Sequence, residues 1–128
     1  MYNKKVMRCF RHPKNYGKLK NYSGLGKIGN LKCGDVIHLY IKVEKDKQRK
    51  EIIKDIKWET TGCVAALATS SEVTELAKGK TIEEAKKITS VDVAKDLELP
   101  SIKMHCSNLA AEALQAAIKD YESKKMKK

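Results

Sequence analysis

The alternation of hydrophobic and polar positions predicts two neighbouring strands in the first half of the chain. From Asp35 onward apolar and polar residues alternate, which indicates a strand with one apolar face. That face carries Ile37, Leu39, Ile41 and Val43. A polar turn at 44–51 follows, and the run IIKDIKWET then predicts an antiparallel return strand. Its apolar face carries Ile52, Ile56 and Trp58.

Beyond Gly62 the apolar residues recur at steps of three and four, which is typical of helices. The first predicted helix ends at Gly79, and its apolar face carries Cys63, Ala66, Leu67, Ser70, Val73 and Ala77. Thr81 with Glu84 has the pattern of a capping box, and Ser90 opens another short helix before Pro100. The last, long helix has an apolar face made of Cys106, Leu109, Ala110, Ala113, Ala117 and Tyr121.

The two ends of the chain are predicted to be less regular. Residues 2–12 have the spacing of a short amphipathic helix, and residues 14–32 are rich in Gly, Asn and Lys, which predicts an irregular segment. We expect residues 1–30 to be partly mobile and residues 122–128 to form a basic tail. The fold class is α+β: one domain, 1–128, with a small antiparallel sheet of about three strands and several helices packed on one face.

The charge of the chain first suggests a nucleic-acid partner, because lysine and arginine exceed aspartate and glutamate by 11. Only Arg8, Arg11 and Arg49 are arginines, however, and lysine lacks the bidentate fork that grips phosphate or reads guanine. A solvated lysine-rich surface explains the composition more simply, so we expect no nucleic-acid partner.

Cysteine usage indicates a reducing compartment. The chain has four cysteines, none in a close pair, and its N-terminus lacks the apolar core of a signal peptide. We therefore expect a cytoplasmic protein with free thiols. No apolar run approaches the roughly 20 residues of a membrane-spanning helix, so no membrane partner is expected.

Three of the cysteines share a position at the end of a predicted element. Cys33 precedes the first strand, and Cys63 and Cys106 open helices, where unpaired amides and the helix dipole favour thiolates. Asp35 points to the same side as Cys33 in an extended segment. His105 and Lys103 flank Cys106, as an imidazole ligand and a cation that favours thiolate. Taken singly, each cysteine could equally be a small buried hydrophobe.

The motifs that contain these residues resemble the IscU/NifU-type iron–sulfur cluster assembly scaffolds. The similarity runs from HPKNYG at residue 12 through LKCGDVIHLYIKV and TTGCVAALATSSEV to LPSIKMHCSNLAAEALQAAIKDY, which is nearly the whole chain. This resemblance implies an IscU/SufE-like fold. It also implies a scaffold rather than an enzyme, which builds a transient 2Fe-2S cluster from iron and desulfurase-derived sulfur and passes it to apo-proteins.

By resemblance, the ligands of iron and the cluster are Cys33, Cys63 and Cys106, with Asp35 or His105 in addition. Cys106 is the expected acceptor of persulfide sulfur, and Lys103 lies beside the site. The implied partners are a cysteine desulfurase of the IscS/NifS type and apo iron–sulfur proteins, with the scaffold as a monomer or a homodimer. A carboxylate among thiolates would make the cluster labile, since it is the harder ligand.

Two alternatives stay open. The family's chaperone-recognition stretch LPPVK here contains Leu99, Pro100, Ser101, Ile102 and Lys103, and the changes at 101 and 102 leave chaperone binding undecided. The same ligands would also suit a zinc-dependent, SufU-like sulfurtransferase that relays persulfide sulfur, since zinc favours thiolate and imidazole. Zinc in the purified protein would not separate the two functions, because such a pocket binds zinc more tightly than ferrous iron.

Overall fold

The computed structural model describes residues 4–11, 15–30, 35–60, 64–89, 92–93 and 104–126. A three-stranded antiparallel sheet with helices confirms the α+β fold class. In chain order the elements are α1 (Lys4–Arg11), β1 (Gly24–Asn30), β2 (Asp35–Lys45), β3 (Glu51–Thr60), α2 (Val64–Ala77), α3 (Ile82–Lys86) and α4 (Met104–Met126). Among the described residues, no helix combines the length and apolar character needed to cross a bilayer.

The sheet has the strand order β1-β2-β3, with β2 in the middle. The expectation of an irregular segment over 14–32 is wrong for residues 24–30, which form β1 and pair with β2 from Gly24↔Ile41 to Asn30↔Asp35. Its sequence GLGKIGN has little β-propensity, so the strand is held by its partners, β2 on one side and α4 on one face. The glycines that made this segment look like a loop are therefore part of the sheet.

The core lies on the sheet face predicted for β2, where Ile37, Leu39 and Ile41 are fully buried. On β3 the predicted face is partly wrong. The register shifts between Lys42 and Val43, so Val43 pairs with Ile53 and Lys42 with Asp55. This bulge inserts one residue and reverses the alternation, because each residue of a strand faces opposite to its neighbour. Ile53 is consequently buried in place of Ile52, while Ile56 and Trp58 remain as predicted.

The tight end of the β2–β3 hairpin is organised by Asp46. Its Oδ1 accepts hydrogen bonds from the amides of Gln48 and Lys50 at 2.8 and 2.9 Å. Arg49 takes a left-handed φ of 64° there. The predicted polar turn at 44–51 is thus shorter than expected, because β2 continues to Lys45 and β3 begins at Glu51.

Both outer edges of the sheet carry hydrogen bonds from other parts of the chain. Along β3, the amide of Gly17 bonds to the carbonyl of Trp58 at 2.8 Å, and the amide of Trp58 bonds to the carbonyl of Asn15 at 3.0 Å. Further along β3, Ile53 exchanges backbone bonds with Gly79 and Lys80 at 2.9 and 2.8 Å. On the β1 edge, the amide of Leu25 donates to the Asp120 carboxylate at 2.9 Å.

Helix α2 is buried on more of its circumference than the predicted stripe. Ser70, Val73 and Ala77 are buried as expected, and so are Ala68, Thr69, Ser71 and Thr74. The wider burial arises because α2 lies between α1 on one side and the sheet and α4 on the other. Gly79 follows with a φ of +83°, the left-handed geometry predicted for the helix cap. The predicted helix over 2–12 is present as α1.

The capping box at α3 is confirmed. The Thr81 hydroxyl accepts from the Glu84 amide, and the Glu84 carboxylate accepts from the Thr81 amide, both at 3.1 Å. At the next helical turn Thr89 forms a capping pair with Asp92, whereas Ser90, where this helix was predicted to begin, lies outside the described residues. The amide of Thr89 donates to Asp92 at 2.9 Å, and the amide of Asp92 donates back to the Thr89 hydroxyl at 3.3 Å. The remainder of the predicted helix before Pro100 lies outside the described residues.

Helix α4 buries Ala110, Ala113 and Ala117 as predicted. Its buried face is broader, because Leu114 and Ile118 are also in the core. The helix continues to Met126, so most of the expected basic tail at 122–128 is helical. Lys124 pairs with Asp120 at 3.1 Å, and Glu122 pairs with Lys86 at 2.7 Å, which ties the end of α4 to α3.

Candidate functional site

One end of the sheet gathers the beginnings and ends of several elements. β2 begins there at Asp35, which pairs with Asn30, the last residue of β1. β3 ends there at Thr60, which pairs with Ile37. The Thr60 hydroxyl donates to the carbonyl oxygen of Val36 at 2.7 Å. We call this end of the sheet, defined by Asn30, Asp35, Val36 and Thr60, the Asp35 edge.

Helix α4 runs antiparallel to β1 and begins at the Asp35 edge. A Cβ atom built on Gly24 would lie 2.3 Å from the carbonyl oxygen of Ala117, and one built on Gly26 would lie 2.2 Å from that of Ala113. A step of two residues along β1, from Gly24 to Gly26, thus corresponds to a step of four residues back along α4, from Ala117 to Ala113. The two steps cover similar distances, because a strand rises about 3.3 Å per residue and a helix about 1.5 Å. If this pairing continues to Asn30 at the end of β1, the facing residues of α4 are those of its first turn.

Helix α2 also begins on this side. Its first residue, Val64, follows Thr60 by only four positions, and consecutive Cα atoms are about 3.8 Å apart. At its other end, Gly79 bonds to Ile53, near the start of β3. Helix α2 therefore runs antiparallel to β3, from the Asp35 edge to the opposite end of the sheet.

The predicted site residues fall into two groups in the structure. Asp35 is the first residue of β2, and His105 and Cys106 are the second and third residues of α4, so their backbones belong to elements that start at the Asp35 edge. The orientations of these three side chains lie outside the described part of the chain. Cys33, Cys63 and Lys103 lie outside the described residues altogether, as do Leu99, Pro100, Ser101 and Ile102.

The sequence interpretation missed the two glycines that let α4 approach β1. Gly24 and Gly26 face the helix with Ile28, because their partners Ile41, Leu39 and Ile37 are on the core face. A side chain at either glycine would collide with the helix backbone. The signal was present in the sequence as small residues at alternate positions, two apart, ahead of an apolar residue. These glycines set the position of the helix that carries His105 and Cys106.

A tyrosine and a glutamate lie next to the Asp35 edge on the other face of the sheet. Tyr40 is buried, and its hydroxyl donates to Glu59 Oε1 at 3.1 Å. Burial, followed by the hydrogen bond and the charge of Glu59, raises the pKa of Tyr40 above its ordinary value. The phenol therefore stays protonated and holds the Glu59 carboxylate against the sheet.

The donor types at the predicted positions define what this edge can bind. Thiolates favour zinc and iron–sulfur clusters, imidazole suits zinc and iron, and a carboxylate adds a harder oxygen ligand. Across the side chains that the structure describes, no three of His, Cys, Asp and Glu come together as a metal site. The candidate ligands predicted from the sequence are Cys33, Asp35, Cys63, His105 and Cys106, of which the structure places the backbones of Asp35, His105 and Cys106 in elements that begin at the Asp35 edge.

Comparison with known proteins gives a consistent result. The sequence profile of the family described as NifU-like N terminal domain matches residues 1–128. The iron–sulfur cluster assembly scaffold protein IscU 1 of Archaeoglobus fulgidus is 55% identical over 122 residues, which cover 94% of this chain and 76% of the relative. The scaffold protein IscU of Escherichia coli K12 is 45% identical over 127 residues, covering 97% of this chain and 96% of the relative.

The fold is shared with a solved structure as well. A candidate iron–sulfur cluster assembly scaffold of the SUF system from thermophilic Fervidobacterium islandicum AW-1 superposes with a TM-score of 0.72. The match is 24% identical in sequence and covers 91% of this chain and 96% of that chain. At this identity, the likeness concerns the fold alone.

Proposed function

Since the chain belongs to the family of NifU-like N-terminal domains, we propose that it assembles its iron–sulfur cluster on Cys33, Asp35, Cys63, His105 and Cys106. The protein is an iron–sulfur cluster assembly scaffold and not an enzyme, as its relatives of 45–55% identity over nearly the whole chain support. The resemblance noted in the sequence is thereby confirmed. The cluster is the cargo of this protein rather than a resident cofactor.

The observation that carries the proposed site is the meeting of elements at the Asp35 edge. Asn30 pairs with Asp35, Thr60 bonds to Val36, and α4 runs antiparallel to β1 with His105 and Cys106 in its first turn. Cys33 stands two positions before Asp35, and Cys63 stands three positions after Thr60. Short chain lengths therefore connect all the proposed ligands to one end of the sheet.

The donor set suits a cluster that must be released. Three thiolates from Cys33, Cys63 and Cys106 bind iron–sulfur clusters strongly. The carboxylate of Asp35 or the imidazole of His105 completes the set as a weaker ligand, which eases transfer to an acceptor. We propose a 2Fe-2S cluster, held by one chain or shared by two.

Cys106 is the proposed acceptor of sulfur. In the first turn of a helix of 23 residues its thiolate is favoured by the positive end of the helix dipole. The thiolate attacks the outer sulfur of a desulfurase persulfide, so a new S–S bond forms at Cys106 and the desulfurase cysteine leaves as a thiolate. Lys103, three positions away, adds a positive charge. Reduction of the transferred sulfur to sulfide takes two electrons from an added thiol reductant.

The scaffold role implies a cysteine desulfurase and apo iron–sulfur proteins as partners. We place the protein in the cytoplasm, where thiols stay reduced. With a net charge of +11, association with an acidic partner surface should weaken as salt is raised.

The test is anaerobic reconstitution with ferrous iron, a cysteine desulfurase, cysteine and dithiothreitol. Iron, zinc and sulfide are assayed together with visible absorption. We expect roughly equal iron and sulfide, and loss of both in Cys33→Ser, Cys63→Ser and Cys106→Ser. Cys9→Ser is the matched control, because Cys9 lies in α1, which packs on α2, and is not one of the proposed ligands. Tight zinc without sulfide would contradict the cluster and point to a sulfur relay. Cluster loss in Cys9→Ser alone would contradict the site.

A further inference from the structure

The sheet face that points away from α2 and α4 forms a groove of about 740 Å³. Strand positions that alternate with the buried core residues face this side. We call it the outer groove and define it by Tyr16, Lys18, Lys20, Tyr22, Lys27 and Val36, all of which line it. It lies on the opposite face of the sheet from the hydrophobic core.

The outer groove collects exposed apolar surface. Tyr16 is 53% exposed, and Tyr22 and Val36 are each 38% exposed. Among the described residues these three are the exposed large hydrophobic side chains, and all three line the same groove. Scattered apolar residues need no explanation, but a group on one face marks an interaction surface. The groove therefore has the character of a docking site for another molecule.

The charge around this apolar surface is positive. Lys18, Lys20 and Lys27 are exposed, and none of them forms an ion pair within the described parts of the chain. The carboxylate that lines the groove, Glu59, accepts a hydrogen bond from Tyr40 at 3.1 Å. Three lysines against this one carboxylate leave the groove lining with a net positive charge, and a negatively charged surface would complement it.

The surroundings of Tyr22 and the type of cation favour a protein over a nucleic acid as the ligand. Single-stranded nucleic acids bind by stacking bases on free ring faces. Lys124 Nζ lies 5.1 Å from the centroid of the Tyr22 ring, and Tyr22 meets Tyr40 at an angle of 62°. The cations are lysines, which lack the planar fork of arginine for phosphate. A second copy of this chain is disfavoured because two such grooves would repel each other.

The groove reaches the proposed cluster site. Val36 and Thr60 both line it, and they belong to the Asp35 edge. We propose that the outer groove docks an acidic protein whose carboxylates surround an apolar side chain. On the basis of the proposed function, a protein bound there would lie beside the cluster. Docking itself requires neither iron nor sulfur, so it can be tested separately.

The test uses the full metal-free chain, labelled with ¹⁵N, and a synthetic glutamate-rich peptide that contains leucines. We expect the amides of Leu25, Lys27, Val36 and His38 to shift on titration. The triple variant Lys18→Glu, Lys20→Glu, Lys27→Glu should bind about ten-fold more weakly, as three surface charge pairs would give. The control Lys47→Glu, Lys80→Glu, Lys87→Glu has the same net charge and alters exposed lysines elsewhere. It should bind less than about two-fold more weakly.

Two further arms separate the alternatives. Val36→Thr keeps a β-branched residue in β2 and should weaken binding of the leucine-containing peptide but not of a serine-containing counterpart. Equal losses in both triple variants would overturn the proposal, because binding would then follow net charge alone. Tighter binding of single-stranded DNA at the same amides would overturn it in favour of a nucleic acid. A concentration-dependent dimer that Val36→Thr abolishes would overturn it in favour of a second copy. None of these results bears on cluster assembly.

Discussion

Gly26 of β1 lies against the backbone of α4, so that a Cβ atom at Gly26 would be 2.2 Å from the carbonyl oxygen of Ala113. The atoms in conflict are backbone atoms, which no rotamer change can move aside. Gly26→Ala should therefore push α4 away from the sheet and lower the free energy of unfolding by about 1–3 kcal/mol, the usual cost of overpacking. Urea denaturation measures the change, with Lys27→Ala at the neighbouring exposed position as the control.

Because α4 carries His105 and Cys106 in its first turn, the same substitution has a functional consequence. Gly26→Ala should retain less iron and sulfide after reconstitution than the parent under conditions where both proteins are folded. An unchanged stability and an unchanged cluster content would show that α4 does not rest on Gly26.

The bulge in β3 predicts unequal effects for two adjacent isoleucines. Ile53 is fully buried, whereas Ile52 is half-buried. Ile53→Ala should cost about 2–5 kcal/mol of unfolding free energy, and Ile52→Ala about 1 kcal/mol. The two variants remove the same atoms, so each is the control for the other in denaturant unfolding. A larger loss of unfolding free energy in Ile52→Ala than in Ile53→Ala would contradict the bulge and favour the regular alternation predicted from the sequence.

Ile52 and Ile53 show what sequence periodicity cannot predict. Spacing alone predicts the core face of β2 and three buried positions of α4, Ala110, Ala113 and Ala117, because each element keeps one period throughout. It does not predict Leu114 and Ile118, which widen the buried face of α4. A bulge changes the phase of a strand without changing its composition, so the exchange of Ile52 for Ile53 is invisible in the pattern. Strand β1 was not predicted for another reason. Its glycines allow the close approach of α4, but glycine-rich segments are typical of loops.

The candidate site, like the fold, could be predicted only in part from the sequence. Spacing and helix signals placed Asp35, His105 and Cys106 near the starts of elements, and the structure has them there. The meeting of those starts at one edge depends on strand order and on the direction of α4, which are long-range properties. The roles of the five proposed ligands as cluster ligands stay predictions.

The Asp35 carboxylate is expected to shorten the lifetime of a bound cluster. Asp35→Ala removes the harder ligand, so the cluster should survive several-fold longer in the presence of a chelator and transfer more slowly to an apo-acceptor. Visible absorption follows both rates. Glu44→Ala is the control, since Glu44 lies near the far end of the same strand. Equal transfer rates in the parent and Asp35→Ala would exclude a labilising carboxylate.

Glu84 should make the capping box of α3 sensitive to acid. Hydrogen bonds from the backbone and hydroxyl of Thr81 lower the pKa of Glu84 below its ordinary value. A carboxyl whose pKa is lower in the folded state stabilises the protein above its unfolded pKa, and this contribution is lost as pH falls through the folded pKa. The parent should be more stable than Glu84→Gln near neutrality, and the difference should shrink as the pH falls below the ordinary glutamate pKa of about 4.3 and passes through the lowered pKa of Glu84. A stability difference between the parent and Glu84→Gln that stays constant with pH would contradict a role for the ionised Glu84 carboxylate in the capping box.

Tyr40 should respond at the opposite end of the pH scale. Its pKa is raised by burial and by Glu59, so the phenol should ionise above the ordinary value of about 10. Stability from the neutral phenol is present below the unfolded pKa and is lost as pH rises through the folded pKa. The tyrosinate difference spectrum between the parent and Tyr40→Phe isolates this residue, and Glu59→Gln should lower its pKa. Ionisation of Tyr40 together with the exposed tyrosines would contradict the assignment.

The hydrogen bonds along the two outer strands have a consequence for how the protein behaves in a crowded solution. An exposed strand edge invites pairing with the strand of another molecule and so starts aggregation. Here the Asp120 carboxylate occupies the amide of Leu25 on β1, and residues 15–17 and 79–80 occupy Trp58 and Ile53 on β3. A strand from another molecule would have to break the bonds of whichever edge it joined. A sheet of only three strands can therefore stay separate from its copies while its outer face remains open to a different partner.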